Sequence, residues 1–139
     1  MTVLSVMNRP PRPRVLVVDD AAYNREVLVQ NLEDEYDTLE AADGATALAL
    51  ARAEQPDVIL MDLSLPVVDG WEATLRLRSE PLTAWIPIVA VTAHAMRGDE
   101  ERALASGCDD YLPKPVDEEL LLVKVREWLA RGQMRRGAG

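Results

Sequence analysis

The chain has 139 residues, 48% of them hydrophobic and 28% charged, the size and balance of one ordinary globular domain. No apolar run approaches a membrane span, and the opening MTVLSVMNRPPRPR lacks the features of a signal peptide, so a cytoplasmic location with no membrane contact is expected. The net charge is −9, and without the six arginines at the two ends (Arg9, Arg12, Arg14, Arg131, Arg135, Arg136) it falls to −15, a body that repels nucleic acid.

Residues 1–13 read as a flexible N-terminal extension. The first strand is RVLVVD (14–19), and a helix follows over about 22–33. Its inner stripe carries Val27, Leu28 and Leu32 with Asn24 and Asn31 on or near it, while Tyr23 and Val29 lie off it. YDTLE (36–40) alternates and predicts a strand near a sheet edge. A helix over 44–54, the strand DVILM (57–61) and a helix over 70–79 come next. The strand IPIVAV (86–91), a helix over 98–106, the strand DDYL (109–112) and a helix over 117–131 complete the pattern. Residues 132–139 read as a flexible basic tail, which bounds the domain at 14–131. The runs VLVV, VILM and PIVAV are apolar on both faces, as in strands buried from both sides. Five βα units predict an α/β fold: a doubly wound parallel sheet with helices on both faces. Cys108, the single cysteine, excludes an internal disulfide and is expected to act as a small buried hydrophobe.

In open α/β sheets, ligands sit beyond the carboxyl ends of the strands. Asp19 and Asp20 follow the first strand, Asp62 follows the third, Thr92 the fourth, and Lys114 and Pro115 the fifth. Two carboxylates about 4 Å apart repel by roughly 4 kcal/mol at an effective dielectric of 20, so three on one rim are strained or partly protonated unless a cation sits among them. Hard oxygen ligands with room for water describe Mg²⁺ (or Mn²⁺). With a metal present, a phosphate could approach Asp62, gripped by Lys114 and the Thr92 hydroxyl, and an Asp carboxylate is a competent phosphoryl nucleophile.

VLVVDD, VILMDLSLPVVDG, VAVTAHA and DDYLPKP together resemble the response-regulator receiver domains of two-component signalling (the CheY-like family) over about residues 14–130. Thr92 lies 30 residues after Asp62 and Lys114 lies 22 after Thr92, spacings similar to those of the family. The resemblance implies a flavodoxin-like strand order 2-1-3-4-5 and Asp62 as phosphoacceptor, loaded from a phosphohistidine on a sensor kinase or histidine phosphotransfer protein. It implies Mg²⁺ held by Asp20 directly, by Asp19 through water, and by Asp62 and the carbonyl of Ser64. Lys114 would bind the phosphoryl group, Thr92 and Tyr111 would act as the switch pair, Pro115 would follow a cis bond, and Ala93 and His94 would line the pocket rim. Output is expected through the face of the fourth helix, fifth strand and fifth helix, from a monomer or weak homodimer. This describes a phosphoacceptor switch that assists its own phosphoryl transfer, not an enzyme with a separate substrate.

Plainer readings stand beside these. Asp19 and Asp20 are also helix-capping residue types, and Tyr111 is also a core residue type. Trp128 belongs either to packing or to a partner face. A P-loop is absent, and DDAAYN is unsuited to a flavin phosphate loop. TAHAM with GDEERALASGCDDY resembles stand-alone regulators of the DivK type, which act on cell-division and polarity kinases. The alternatives are a chemotaxis-type regulator that docks a motor and a receiver-like binding module that is never phosphorylated.

Overall fold

The computed structural model describes residues 12–63, 65, 68–93 and 99–138. Five strands, β1 (Arg14–Val18), β2 (Asp37–Ala41), β3 (Val58–Asp62), β4 (Ile88–Thr92) and β5 (Asp110–Pro113), alternate with helices α1 (Ala22–Leu32), α2 (Gly44–Glu54), α3 (Gly70–Ser79), α4 (Asp99–Ala105) and α5 (Glu118–Ala138). The sheet is parallel throughout, in the order β2-β1-β3-β4-β5. The alternating segment YDTLE forms an edge strand, and the three apolar runs form the centre. Side chains of a strand alternate between faces, and the core divides accordingly. Val15, Val17, Val58, Leu60, Val89, Val91 and Leu112 pack under Leu28 and Leu32 of α1 and Leu121, Val125 and Trp128 of α5. Leu16, Val18, Ile59, Met61, Ile88 and Ala90 pack under α2, α3 and Ala103 of α4.

Local chemistry sets the helix starts. Asp43, Asp69 and Asp117 each accept a backbone N–H in the first turn, from Thr46, Glu72 and Leu120, the usual role of an aspartate at a helix N-terminus. On α1 the expected stripe is rotated: Leu28 and Leu32 are buried, but Val27 is exposed while Val29 packs against the core. Cys108 is buried as expected, close to the Thr74 hydroxyl. Burial pushes its thiol up to about 11, which keeps it protonated at neutral pH.

The C-terminal segment departs from expectation. Residues 132–138 are not a loose tail but two further turns of α5. Side chains distant in sequence hold them: Gln133 donates to Asp57, Arg135 to Asp109 at 2.6 Å, and the Arg136 guanidinium lies 4.8 Å from the centre of the Trp85 ring. Trp128 likewise faces inward, its indole N–H donating to Asp110 at 2.8 Å. The N-terminal extension lies outside the described residues apart from Arg12 and Pro13.

Gly132 makes this docking possible, because a Cβ there would stand 2.8 Å from Pro87 Cγ and 2.9 Å from its Cδ. Gly132→Val is therefore expected to cost about 1–3 kcal/mol by overpacking. Gly137→Ala, with nothing within 4 Å of the new Cβ, is expected to be neutral or to stabilise by up to about 1 kcal/mol through helix propensity. Urea unfolding midpoints of the two variants check this; equal midpoints would mean that α5 does not dock through Gly132.

Candidate functional site

The pleat that divides the core also sorts the rim. Asp62 continues the face of Val58 and Leu60, Asp19 that of Val15 and Val17, and Lys114 that of Leu112, so all three follow the face covered by α1 and α5. Thr92 and Tyr111 follow the other face. Lys114 Nζ accordingly donates to Asp19 Oδ2 at 2.8 Å and to Asp62 Oδ2 at 3.3 Å. Asp19 and Asp62 are 1% and 5% exposed, whereas Asp20 is open to solvent. One carboxylate oxygen from each of the three aspartates falls within 4.8 Å of the others.

Each member is held from its backbone. Asp19 N–H donates to Ala41 at the end of β2, and Lys114 N–H donates to the Thr92 carbonyl at 2.8 Å. Asp62 pairs in register with Val91, so Thr92 stands one residue further out on the neighbouring strand. Gly70 packs so closely behind Asp62 that a Cβ would stand 2.3 Å from the Asp62 carbonyl oxygen. Only glycine fits there, and its N–H closes the intervening loop onto Leu63. The Lys114–Pro115 peptide is cis. Neither Asp19 nor Asp20 provides the cap residue of α1, which is Ala21. Instead Asp19 Oδ1 accepts the Ala21 N–H at 2.9 Å and the Asn24 amide at 3.5 Å.

Thr92 is buried, Tyr111 is half-buried against the core of the α2–α4 face, and Ala93 is exposed. Ser64 and His94 lie outside the described residues. Beside the carboxylates runs a groove of about 270 Å³, lined by Tyr23, Asn24, Val27, Leu28, Pro115 and Val116 together with Asp19 and Lys114. Residues absent from the sequence reading also contribute. Asp110 accepts Lys124 and Trp128 from α5, fastening that helix to the strand that leads to Lys114. Burial would raise the Asp110 carboxyl, but the bonds from Lys124 and Trp128 outweigh it and hold it below the usual range. Arg78 donates to Gly107, Ala84, Ile86 and Asp109, joining the end of α3 to the segments before β4 and β5.

Three carboxylates and one ammonium carry a formal charge of −2, the charge that one divalent cation cancels. Two carboxylates at this spacing repel by roughly 3–4 kcal/mol at an effective dielectric of 20, so Lys114 relieves only part of the strain. Partial burial lowers the affinity of its amine for a proton, but its hydrogen bond to Asp19 and the charges of Asp62 and Asp19 outweigh that, and its pKa is raised. The stability this contributes is present in full below the ordinary lysine pKa of about 10.4 and is lost as pH rises through the raised value. Lys114→Met is expected to destabilise the fold by about 2 kcal/mol at pH 7, because the carboxylates lose their fixed counter-charge. The deficit is expected to shrink as pH rises through the raised Lys114 value, where the wild type loses the same charge. Urea unfolding at pH 7 and at a pH above the ordinary lysine pKa of about 10.4 measures both, and a deficit independent of pH would assign the loss to packing.

No helix among the described residues is long and apolar enough to cross a membrane. The family model of the response regulator receiver domain matches residues 15–126. The chain is 43% identical over 114 residues to the response regulator PleD of Caulobacter vibrioides, covering 81% of this chain and 25% of PleD. It is 39% identical over 116 residues to the polar-differentiation response regulator DivK of Brucella anthropi, covering 83% of this chain and 94% of DivK. Among solved structures, the receiver domain of the sensor histidine kinase PA1611 of Pseudomonas aeruginosa, with a magnesium ion in its active site cleft, aligns with a TM-score of 0.80 at 36% identity over 86% of this chain and 98% of that one. The Saccharomyces cerevisiae Ssk1 receiver domain, crystallised with the histidine phosphotransfer protein Ypd1, aligns with a TM-score of 0.78 at 34% identity over 86% and 90%. With the 2-1-3-4-5 sheet and an acidic cluster at its carboxyl rim, these matches place the chain in the response regulator receiver domain family of two-component signalling.

Proposed function

We propose that Asp62 is the phosphoacceptor of a signalling switch, loaded by a histidine kinase or histidine phosphotransfer protein. The observation that carries this is the position of Asp62: last residue of the central strand β3, buried, within 4.8 Å of two further carboxylates and 3.3 Å from Lys114 Nζ. A divalent ion at this cluster, Mg²⁺ or Mn²⁺, would supply the positive charge that lets an anionic phosphoryl group approach. The donor set fits it. Asp20 is exposed and would ligate directly, together with Asp62. Asp19 has one oxygen on the Ala21 N–H and the other on Lys114, which suits it to act through water. The carbonyl of Ser64 completes the proposed set.

In the transfer, an Asp62 carboxylate oxygen forms the new bond to phosphorus as the phosphorus–nitrogen bond of the phosphohistidine breaks. The leaving ring nitrogen keeps the bonding pair, and the proton on the other ring nitrogen leaves a neutral imidazole. Lys114 stays beside Asp62 and pairs with the incoming oxygens as a point charge. The phosphoryl group, carrying a charge of about −1.5 to −2 where the Asp62 carboxylate carried a single negative charge, draws the Thr92 hydroxyl, and Tyr111 on the same face follows. Exposed Leu104, Leu120 and Val123 offer the α4–β5–α5 face to a downstream protein. The similarity to the polar-differentiation response regulator DivK over nearly its whole length supports a regulator of cell-division or polarity kinases that acts by docking.

Intact mass after incubation with acetyl phosphate is expected to show a Mg²⁺-dependent gain of one phosphoryl group that Asp62→Asn abolishes. No gain, together with no spectral response to beryllofluoride and Mg²⁺, would leave only a constitutive binding module. The groove beside the site is where a donor protein would seat, with Tyr23 (75% exposed) open on its wall. Tyr23→Asp is expected to slow transfer from a phosphorylated histidine phosphotransfer protein by at least about tenfold, a loss of 1.4 kcal/mol, and to leave acetyl phosphate labelling unchanged. Equal slowing with both donors would place Tyr23 in the chemistry instead of the docking.

A further inference from the structure

Arg25 on α1 has no part in the chemistry above, yet it touches the backbone of the acidic cluster. Its Nη1 donates to the carbonyl oxygen of Asp19 at 2.8 Å, and its Nε donates to Glu40 Oε1 on β2 at 3.2 Å. The side chain is 18% exposed, far less than that of its partner Glu40 at 50%. The ladder between β1 and β2 ends at Val18 and Ala41. The Asp19 N–H reaches back to Ala41, but the Asp19 carbonyl lies past the last rung. Arg25 therefore supplies from a helix the hydrogen bond that a strand would have supplied. That carbonyl belongs to the planar peptide leading into Asp20. Fixing the plane fixes the direction from which Asp20, the one exposed carboxylate of the three, enters the cluster.

We propose that Arg25 is a positioning residue of the divalent-cation site, braced on Glu40 and acting on Asp20 through the Asp19–Asp20 peptide. This rests on the reading of Asp19, Asp20 and Asp62 as a cation site. Coulomb's law alone demands the opposite of this role. A guanidinium close to a cation site repels the cation, so as a bare charge Arg25 weakens binding and its removal strengthens it. As a brace it strengthens binding, and its removal weakens it, by about tenfold on the scale typical of groups that orient metal ligands. The two accounts differ in sign, so one measurement separates them.

The experiment is titration of the full chain with Mn²⁺, following the paramagnetic resonance signal of the free aqua ion, for wild type, Arg25→Gln and Arg25→Lys. Circular dichroism melts confirm that each variant is folded at the titration temperature. The brace predicts binding about tenfold weaker in Arg25→Gln and intermediate in Arg25→Lys, which keeps the charge and one donor but loses the fork. It also predicts a shifted backbone amide resonance of Asp20 in metal-free Arg25→Gln. Binding in Arg25→Gln equal to or tighter than wild type overturns the proposal and leaves Arg25 as a charge. No Mn²⁺ binding by wild type overturns it together with the cation site, whereas binding by wild type that Arg25→Gln retains overturns the Arg25 role alone.

Discussion

Like charges held together away from water set the terms for the rest of this molecule. Asp19 and Asp62 are almost wholly buried at the carboxyl rim of the sheet, with Asp20 beside them and the Lys114 amine between the first two. Left to a flexible chain, these groups would separate into solvent. Here they cannot, because Asp62 ends β3 and Asp19 and Asp20 follow β1, strands that are buried almost throughout, and Lys114 is held by its backbone bond to Thr92. At about 25 cal/mol per Å² of apolar surface removed from water, burying three central strands outweighs a few kcal/mol of repulsion at the rim. The hydrophobic sheet is thus the energy source that keeps the cluster assembled, and the cluster is where that energy would become available for the cation binding proposed above.

The strength of this arrangement depends on β5, which is an edge strand and the shortest of the five. Its position determines where Lys114 reaches. Two polar networks fasten it. Asp110 receives Lys124 and Trp128 from α5, and Asp109 receives Arg78, Arg135 and the Ile88 N–H. Partly buried carboxylates with several donors each are costly to disrupt. These networks make β5 and α5 one unit, and that unit delivers the lysine to the opposite side of the sheet from β2.

The fold was readable because the signals lay within short windows. Apolar runs such as VILM carry their burial in their own composition, and the charged residues that stop them mark the rim. Parity then adds what the motifs alone do not say: Asp19, Asp62 and Lys114 share one face, and Thr92 shares the other with Tyr111. The last two turns of α5 were not readable. RGQMRRGA has one large apolar residue, Met134, which is exposed, and its anchors at Asp57, Trp85, Pro87 and Asp109 come from elsewhere in the chain. The rotation of α1 was hidden for a related reason. Val27 and Val29 have the same composition and differ only in which one the sheet accepts. Arg25 escaped notice because a surface arginine looks the same in sequence whether it faces water or a backbone carbonyl.

The same parity constrains how a phosphoryl group on Asp62 would be felt elsewhere. Asp62 follows the α1 and α5 face, so added charge there lies beside the Tyr23 groove and Lys114. A response on the α4 side has to cross the sheet, whose two faces are covered by separate packed layers. One route runs along the rim, where Thr92 stands one residue beyond the register partner of Asp62 and its carbonyl holds the Lys114 N–H. A shift of Thr92 toward Asp62 would vacate space on its own face, the face that Tyr111 occupies. On the proposed reading, sheet pleat, register and one backbone hydrogen bond would thus couple the two sides at the rim, the level of the fold where a phosphoryl group on Asp62 would sit.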